Sequence, residues 1–318
     1  MLNKLVLIIL ALTSIGCSTP SGTVTYHPAN RDSGFEHPYF LFVPDGLQDT
    51  TTYILVEPNN TGYVSNDFED HREGAENLIN NSGNLGNMLA RKLRTPLLVP
   101  VFPRSETNWR TYTHALDRDV MLEKEGTLRR LDLQLLAMIE EARDSLLRGS
   151  DIIIRPNILM TGFSASGTFA NRFTALHADK VRAVAAGGIN GILMLPTDSL
   201  EDTPLNYPLG TADIKELTGK TFDSIGFRET PQMLYMGAED DNDAASYSDA
   251  YDDQERELIY RLLGKKMLPD RWTKCKLIYD GQKINADILT YPSKGHELSD
   301  GIQNEILAFF RKHTSDKH

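Results

Sequence analysis

Short apolar runs alternate with amphipathic stretches along most of this chain. Tyr39–Val43 (YFLFV) and Tyr53–Val56 (YILV) predict strands, parted by the turn residues Pro44, Asp45 and Gly46. Leu85, Met88, Leu89 and Leu93 fall on one side of a helix predicted from Ser82 to Leu93. Pro96–Phe102 is another apolar strand. Leu128, Leu131, Leu135, Met138, Ala142 and Leu146 recur at helical spacing and mark the clearest helix, with Gly149 as its stop. The run Ile158–Thr161 leads into a sharp turn, after which Phe169, Phe173 and Leu176 form one helical face. Val181–Ala186, Gln232–Met236 and Ala286–Tyr291 predict three more strands, and Ile302–Lys312 a closing amphipathic helix. Strands alternating with helices imply an α/β protein: a mainly parallel sheet flanked by helices on both faces.

Two regions break this rhythm. Residues 191–230 carry Pro196, Pro204 and Pro208 and no clear strand, apart from a short helix near Ala212–Leu217. So long a connection usually serves a purpose, and a lid-like insertion that roofs a site is expected. The other is the N-terminus. Lys4 gives it a positive start, Leu5–Leu12 is wholly apolar, and small residues precede Cys17. Such a run is too short to span a bilayer and reads as an export signal, residues 1–16. Its ending resembles a bacterial lipobox, which makes Cys17 the candidate lipidation site and the cell envelope the expected location. Residues 17–35, rich in Ser, Thr, Pro, Gly and Asn, read as a tether, and 36–318 as the folded domain.

Composition narrows the function. The 33 basic and 44 acidic side chains give a formal charge of -11 with no basic block, which disfavours nucleic acid as a partner. The membrane is expected as a partner only through the lipid anchor. With Cys17 committed elsewhere, Cys275 stands alone and reads as a packed thiol on a half-buried helix. No glycine-rich fingerprint follows a strand and no paired His or Cys motif occurs, so neither a nucleotide cofactor nor a metal is expected.

The chemistry points to the turn Gly162-Phe163-Ser164-Ala165-Ser166-Gly167. A strand that turns abruptly into a helix holds a serine hydroxyl clear of the backbone, and small neighbours let the two elements nearly touch. Such a serine needs a histidine to take its proton and a carboxylate to fix that histidine's tautomer. His296 follows the last strand and precedes the last helix, whereas His37, His71, His114 and His177 read as loop or surface residues. Asp240 follows the strand at Gln232, with Glu239, Asp241 and Asp243 as competing acids. Oxyanion donors are expected from the Ala165 backbone and from Asn60, with Asn59 as its rival. Trp109, Arg110, Tyr112 and His114 are candidates for an aromatic wall.

Thr161–Gly167, Asn171–Phe173, Gly237–Asp240 and Gly295-His296 together resemble the α/β-hydrolase superfamily over residues 38–312. Among its branches they are most similar to the polyhydroxybutyrate depolymerases and feruloyl esterase-like enzymes. Ser166 stands where glycine is commoner. The resemblance implies a triad of Ser164, Asp240 and His296 and a small or oligomeric ester substrate. A serine peptidase on the same scaffold and a non-catalytic binding protein are the competing readings.

Overall fold

Eight strands form one sheet whose central members carry apolar residues to both of its faces. The computed structural model describes residues 21–47, 50–150 and 152–315. In chain order the strands are β1 (Gly22–His27), β2 (Tyr39–Pro44), β3 (Thr51–Thr52), β4 (Leu55–Val56), β5 (Leu97–Pro100) and β6 (Ile153–Ile154). There follow β7 (Ile158–Phe163), β8 (Val181–Gly187), β9 (Ser199–Leu200), β10 (Thr203–Pro204), β11 (Gln232–Gly237) and β12 (Ala286–Tyr291). The main sheet runs β1-β2-β5-β4-β7-β8-β11-β12, antiparallel at its first two pairings and parallel thereafter.

Alternate residues of the central strands feed two cores, as a strand's two-residue period requires. Leu97, Leu159, Met233 and Tyr235 face α1 (Phe68–Asn80), α2 (Leu85–Leu93) and the last helix, Asp300–Thr314. Leu98, Met160, Leu234 and Met236 face the opposite layer. That layer is built from α3 (Arg118–Leu122), α4 (Leu131–Ser150), α5 (Ala165–Leu176), α6 (Ile214–Thr218), α7 (Ser224–Glu229), α8 (Asp253–Leu262) and α9 (Trp272–Gly281). The closing helix is α10. The predicted α/β class and two-sided layering hold.

Several expectations are corrected. The tether ends before Gly22, because β1 pairs with β2 over all six residues, Tyr26 packs edge-on to Phe40 and Phe35 is buried. An edge strand needs only one apolar face, so its threonines disguised it as linker. The signal at 1–16 and Cys17 lie outside the described residues. Helix α1 escaped prediction because its buried stripe is only His71, Ala75 and Ile79. Gly149 does not stop α4, which runs on to Ser150.

Residues 191–230 are no lid. Ile192–Leu195, Leu205, Tyr207 and Phe227 are buried in the main core. Asn171 Oδ1 accepts from Met194 N at 2.9 Å, Arg118 pairs with Asp213 at 2.7 Å, and the Tyr207 hydroxyl donates to the Leu116 carbonyl. The segment is stapled to the body and lines no part of the serine pocket.

His37, His71, His114 and His177 are likewise buried rather than superficial, each with a hydrogen-bond partner inside. The His177 ring reaches Asp132 at 2.9 Å, and Arg130 grips the same carboxylate at 2.7 Å. Burial alone would raise the Asp132 carboxyl. The hydrogen bonds and charges of Arg130 and His177 outweigh it and hold the group down to about 2, from 3.8. A carboxylate depressed on folding stabilises the protein above its unfolded value and loses that contribution as pH falls toward the folded one. Asp132→Asn is therefore expected to cost about 3 kcal/mol at pH 7 in urea unfolding. That deficit should narrow below about pH 4, and an equal deficit at pH 3 would contradict the account.

Candidate active site

The site begins where β7 meets α5. Ser164, between them, takes φ 63° and ψ -128°, a conformation that non-glycine residues rarely adopt. The surroundings force it. A Cβ on Gly162 would fall on the Ser166 backbone, and one on Gly167 on the Gly187 carbonyl of β8. Ser164 N donates to that same Gly187 carbonyl at 2.9 Å. Ser166 adds a staple: its Oγ donates to the Phe163 carbonyl at 2.9 Å and accepts from Phe163 N at 3.0 Å. The serine in place of the commoner glycine thus closes the turn it occupies.

The acid and histidine arrive together because the loops after β11 and β12 zip to each other. Ala238 N donates to Tyr291 O at 2.9 Å and Glu239 N to Lys294 O at 2.8 Å. Gly237 permits this, since a Cβ there would meet the carbonyls of Lys294 and Gly295. The result is a 2.9 Å contact between His296 Nδ1 and Asp240 Oδ2. Asp240 is buried, and its other oxygen accepts from Asn242 N at 3.0 Å. The competing acids are elsewhere: Glu239 and Asp241 are exposed, while Asp243 pairs with Arg271 and caps Ala245.

His296 lies over the end of β7 and β8. Its ring packs on Phe163 at 4.7 Å between centroids, and a Cβ on Gly188 would stand 2.9 Å from its Cε1. With Nδ1–H donating to Asp240, Nε2 is the acceptor, and the Asn242 amide sits 3.3 Å from it. Ser164 Oγ makes no hydrogen bond among the described residues. Ser164 and His296 therefore share one strand end, but the bond between them is open in this state, as is common before substrate binds.

Ala165 opens α5, where backbone N–H groups have no intrahelical acceptor. Asn60 and Asn59 separate cleanly. Asn60 borders the pocket beside Ser164. Asn59 is buried and clamps Phe102, donating to its carbonyl and accepting from its N–H, both at 3.0 Å. His114 donates to the same carbonyl at 2.8 Å. Burial pushes the His114 imidazole down to about 3, so it is a neutral structural ring.

The pocket has a volume of about 440 Å³. Asn60, Gly62, Tyr63 and Val64 form one wall, and Arg104, Tyr112 and Ala115 another. Ser164, Thr168 and Arg172 line its floor, and the loop from Asn242 to Tyr251 closes it. Arg104 bonds to Asp249, so the loops after β5 and β11 are joined across it. Of the predicted aromatic wall only Tyr112 is present. Trp109 is exposed beneath Arg110, and His114 lies under the surface. Sequence reasoning missed Arg104, Arg172 and Tyr251. Arg172 was open to detection, because Ser164, Thr168 and Arg172 repeat at helical spacing.

No protein-family model and no curated protein matches the chain. Solved structures do. Poly(aspartic acid) hydrolase-1 from Sphingomonas sp. KT-1 is 15% identical, with 92% of this chain and 98% of that one covered and a TM-score of 0.54. LpqC, a poly(3-hydroxybutyrate) depolymerase from Bordetella parapertussis, is also 15% identical, over 93% and 92% of the two chains, with a TM-score of 0.52. The chain has the α/β-hydrolase fold, as the motif resemblance implied.

The elbow makes a stability prediction. Ser166→Ala should lower unfolding free energy by about 1 kcal/mol, the worth of a lost internal hydrogen bond. Gly167→Val should yield no folded protein, because its side chain would occupy the place of β8. Circular dichroism through a urea titration checks both.

Proposed function

We propose that this α/β-hydrolase-fold protein is a serine hydrolase of carboxylic esters that works through an acyl-enzyme. The observation that supports it most is the 2.9 Å contact between Asp240 and His296 at the strand end that carries Ser164. Ser164 Oγ attacks the ester carbonyl and gives its proton to His296 Nε2. Asp240 holds the Nδ1–H tautomer and stabilises the imidazolium that forms. The Ala165 N–H and Asn60 receive the oxyanion. The protonated His296 then hands its proton to the departing alkoxide, and a water activated by the same ring releases the acid. Asn242, beside Nε2 at rest, gives way when the ester enters.

Amide hydrolysis by the same groups is the second reading. Poly(aspartic acid), the polymer in the name of one structural relative, is amide-linked. Release of nitrophenol from an ester, compared with nitroaniline from the matching anilide, separates the two.

Labelling with a fluorophosphonate probe tests the mechanism. Native protein should label and Ser164→Ala should not; an unlabelled native protein would favour the binding reading. Ser164→Ala and His296→Ala should each lower kcat for a nitrophenyl ester on the order of 10⁴-fold or more, and Asp240→Asn by a comparable factor.

Export and lipid anchoring belong to this proposal too, supported by the apolar run Leu5–Leu12 and the small residues before Cys17. Labelled palmitate should enter the native protein in cells and be absent from Cys17→Ser. Incorporation that survives the substitution would defeat the anchor.

A further inference from the structure

The charge around Ser164 runs against that of the whole chain. The formal net charge is -11, yet the pocket wall carries two guanidinium groups, Arg104 and Arg172, and one carboxylate, Asp249. Both arginines are almost fully buried, at 5% and 3% exposure. A buried charge is costly unless a counter-charge and hydrogen bonds compensate it.

Arg104 has its compensation only in part. It pairs with Asp249 and lies flat over the Tyr112 ring, its Cζ 3.6 Å from the centroid, but its buried Nε has no partner. Arg172 has no ion pair among the described residues. Its Nη1 donates to the Ala115 carbonyl at 3.0 Å and its Nη2 to the Tyr251 hydroxyl at 3.1 Å. Among the described residues no carboxylate oxygen comes within 4 Å of it. The nearby acids are weak substitutes. Burial pushes the carboxyls of Asp117 and Glu255 well up, which weakens both as counter-charges.

Position makes this a substrate feature rather than a core oddity. Arg172 is two turns along α5 from Ser164, on the same face, about 12 Å in axial rise. Long helical side chains lean toward the helix N-terminus, which brings the guanidinium back toward the nucleophile. Thr168 fills the floor between them.

We infer that the substrate carries a free carboxylate, which Arg172 binds in this pocket with Arg104 beside it. The inference rests on the hydrolase reading and names its substrate class: acidic esters, such as monoesters of dicarboxylic acids or hydroxy-acid chains with a free end. A carboxylate supplies the missing counter-charge, and a guanidinium fork matches it in shape.

Matched pairs of esters test it on the native enzyme. One series is the mono-4-nitrophenyl esters of diacids from four to eight carbons, each against its methyl-capped, uncharged twin. A second places the carboxylate in the alcohol arm, as acetates of hydroxy acids against their methyl esters. In at least one series the free acid should be cleaved with a kcat/KM about tenfold or more above its twin. Arg172→Gln should bring that ratio toward one, with Arg172→Lys intermediate. Adipate should also inhibit cleavage of an uncharged ester competitively where adipamide does not, a readout that needs no variant. Uncharged twins cleaved as well or better in both series would overturn this inference and leave the hydrolase intact. Cleavage of no ester of either kind would remove the hydrolase reading and this one with it.

Discussion

The near-contact of three backbones sets the rest of the molecule. β7, the start of α5 and the end of β8 approach so closely that Gly162 and Gly167 tolerate no larger side chain, while the Tyr235 ring of β11 fills the space a side chain on Gly187 would need. That crowding pins Ser164 in a backbone conformation it would not choose, and tertiary packing holds the strain. The order of the sheet follows from it. β7 and β8 must be adjacent and parallel, α5 must cover one face, and the catalytic candidates must gather at the carboxyl ends of the strands.

Around that point the loops are tied in pairs rather than singly. Asn59 and His114 lock the segment after β4 to the segment after β5, and His71 joins Thr61, Ser65 and the Arg104 backbone in the same way. The loops after β11 and β12 are zipped by main-chain hydrogen bonds. Such pairs tie the pocket wall to the body of the fold from two loops at once.

Much of this was legible in the residues. The main-sheet strands from Tyr39 to Tyr291 announced themselves by apolar runs, and the triad candidates by their places after strands. The two-residue strands β3, β6, β9 and β10 were too short to leave such a run. Spacing after Gly237 favoured Asp240 over Asp241 and Asp243, but only the zipped loops decide which carboxylate turns inward. The buried histidines misled because a satisfied imidazole in the core and a solvated one have the same sequence. The insertion misled for a related reason. Proline and irregular backbone suggest a cover, but Ile192–Leu195 and Tyr207 had already declared themselves core material. β1 was hidden by its threonines, since a strand with one partner carries half the usual apolar signal.

That first strand also orients the molecule. β1 opposes β2, and β2 opposes β5, so β1 points the same way as the parallel body of the sheet. Gly22 consequently sits at the floor of the sheet, on the far side from Ser164. Only five peptide steps join it to Cys17, a reach of about 18 Å at most. Were that cysteine acylated as proposed, the mouth of the Ser164 pocket would open away from the lipid.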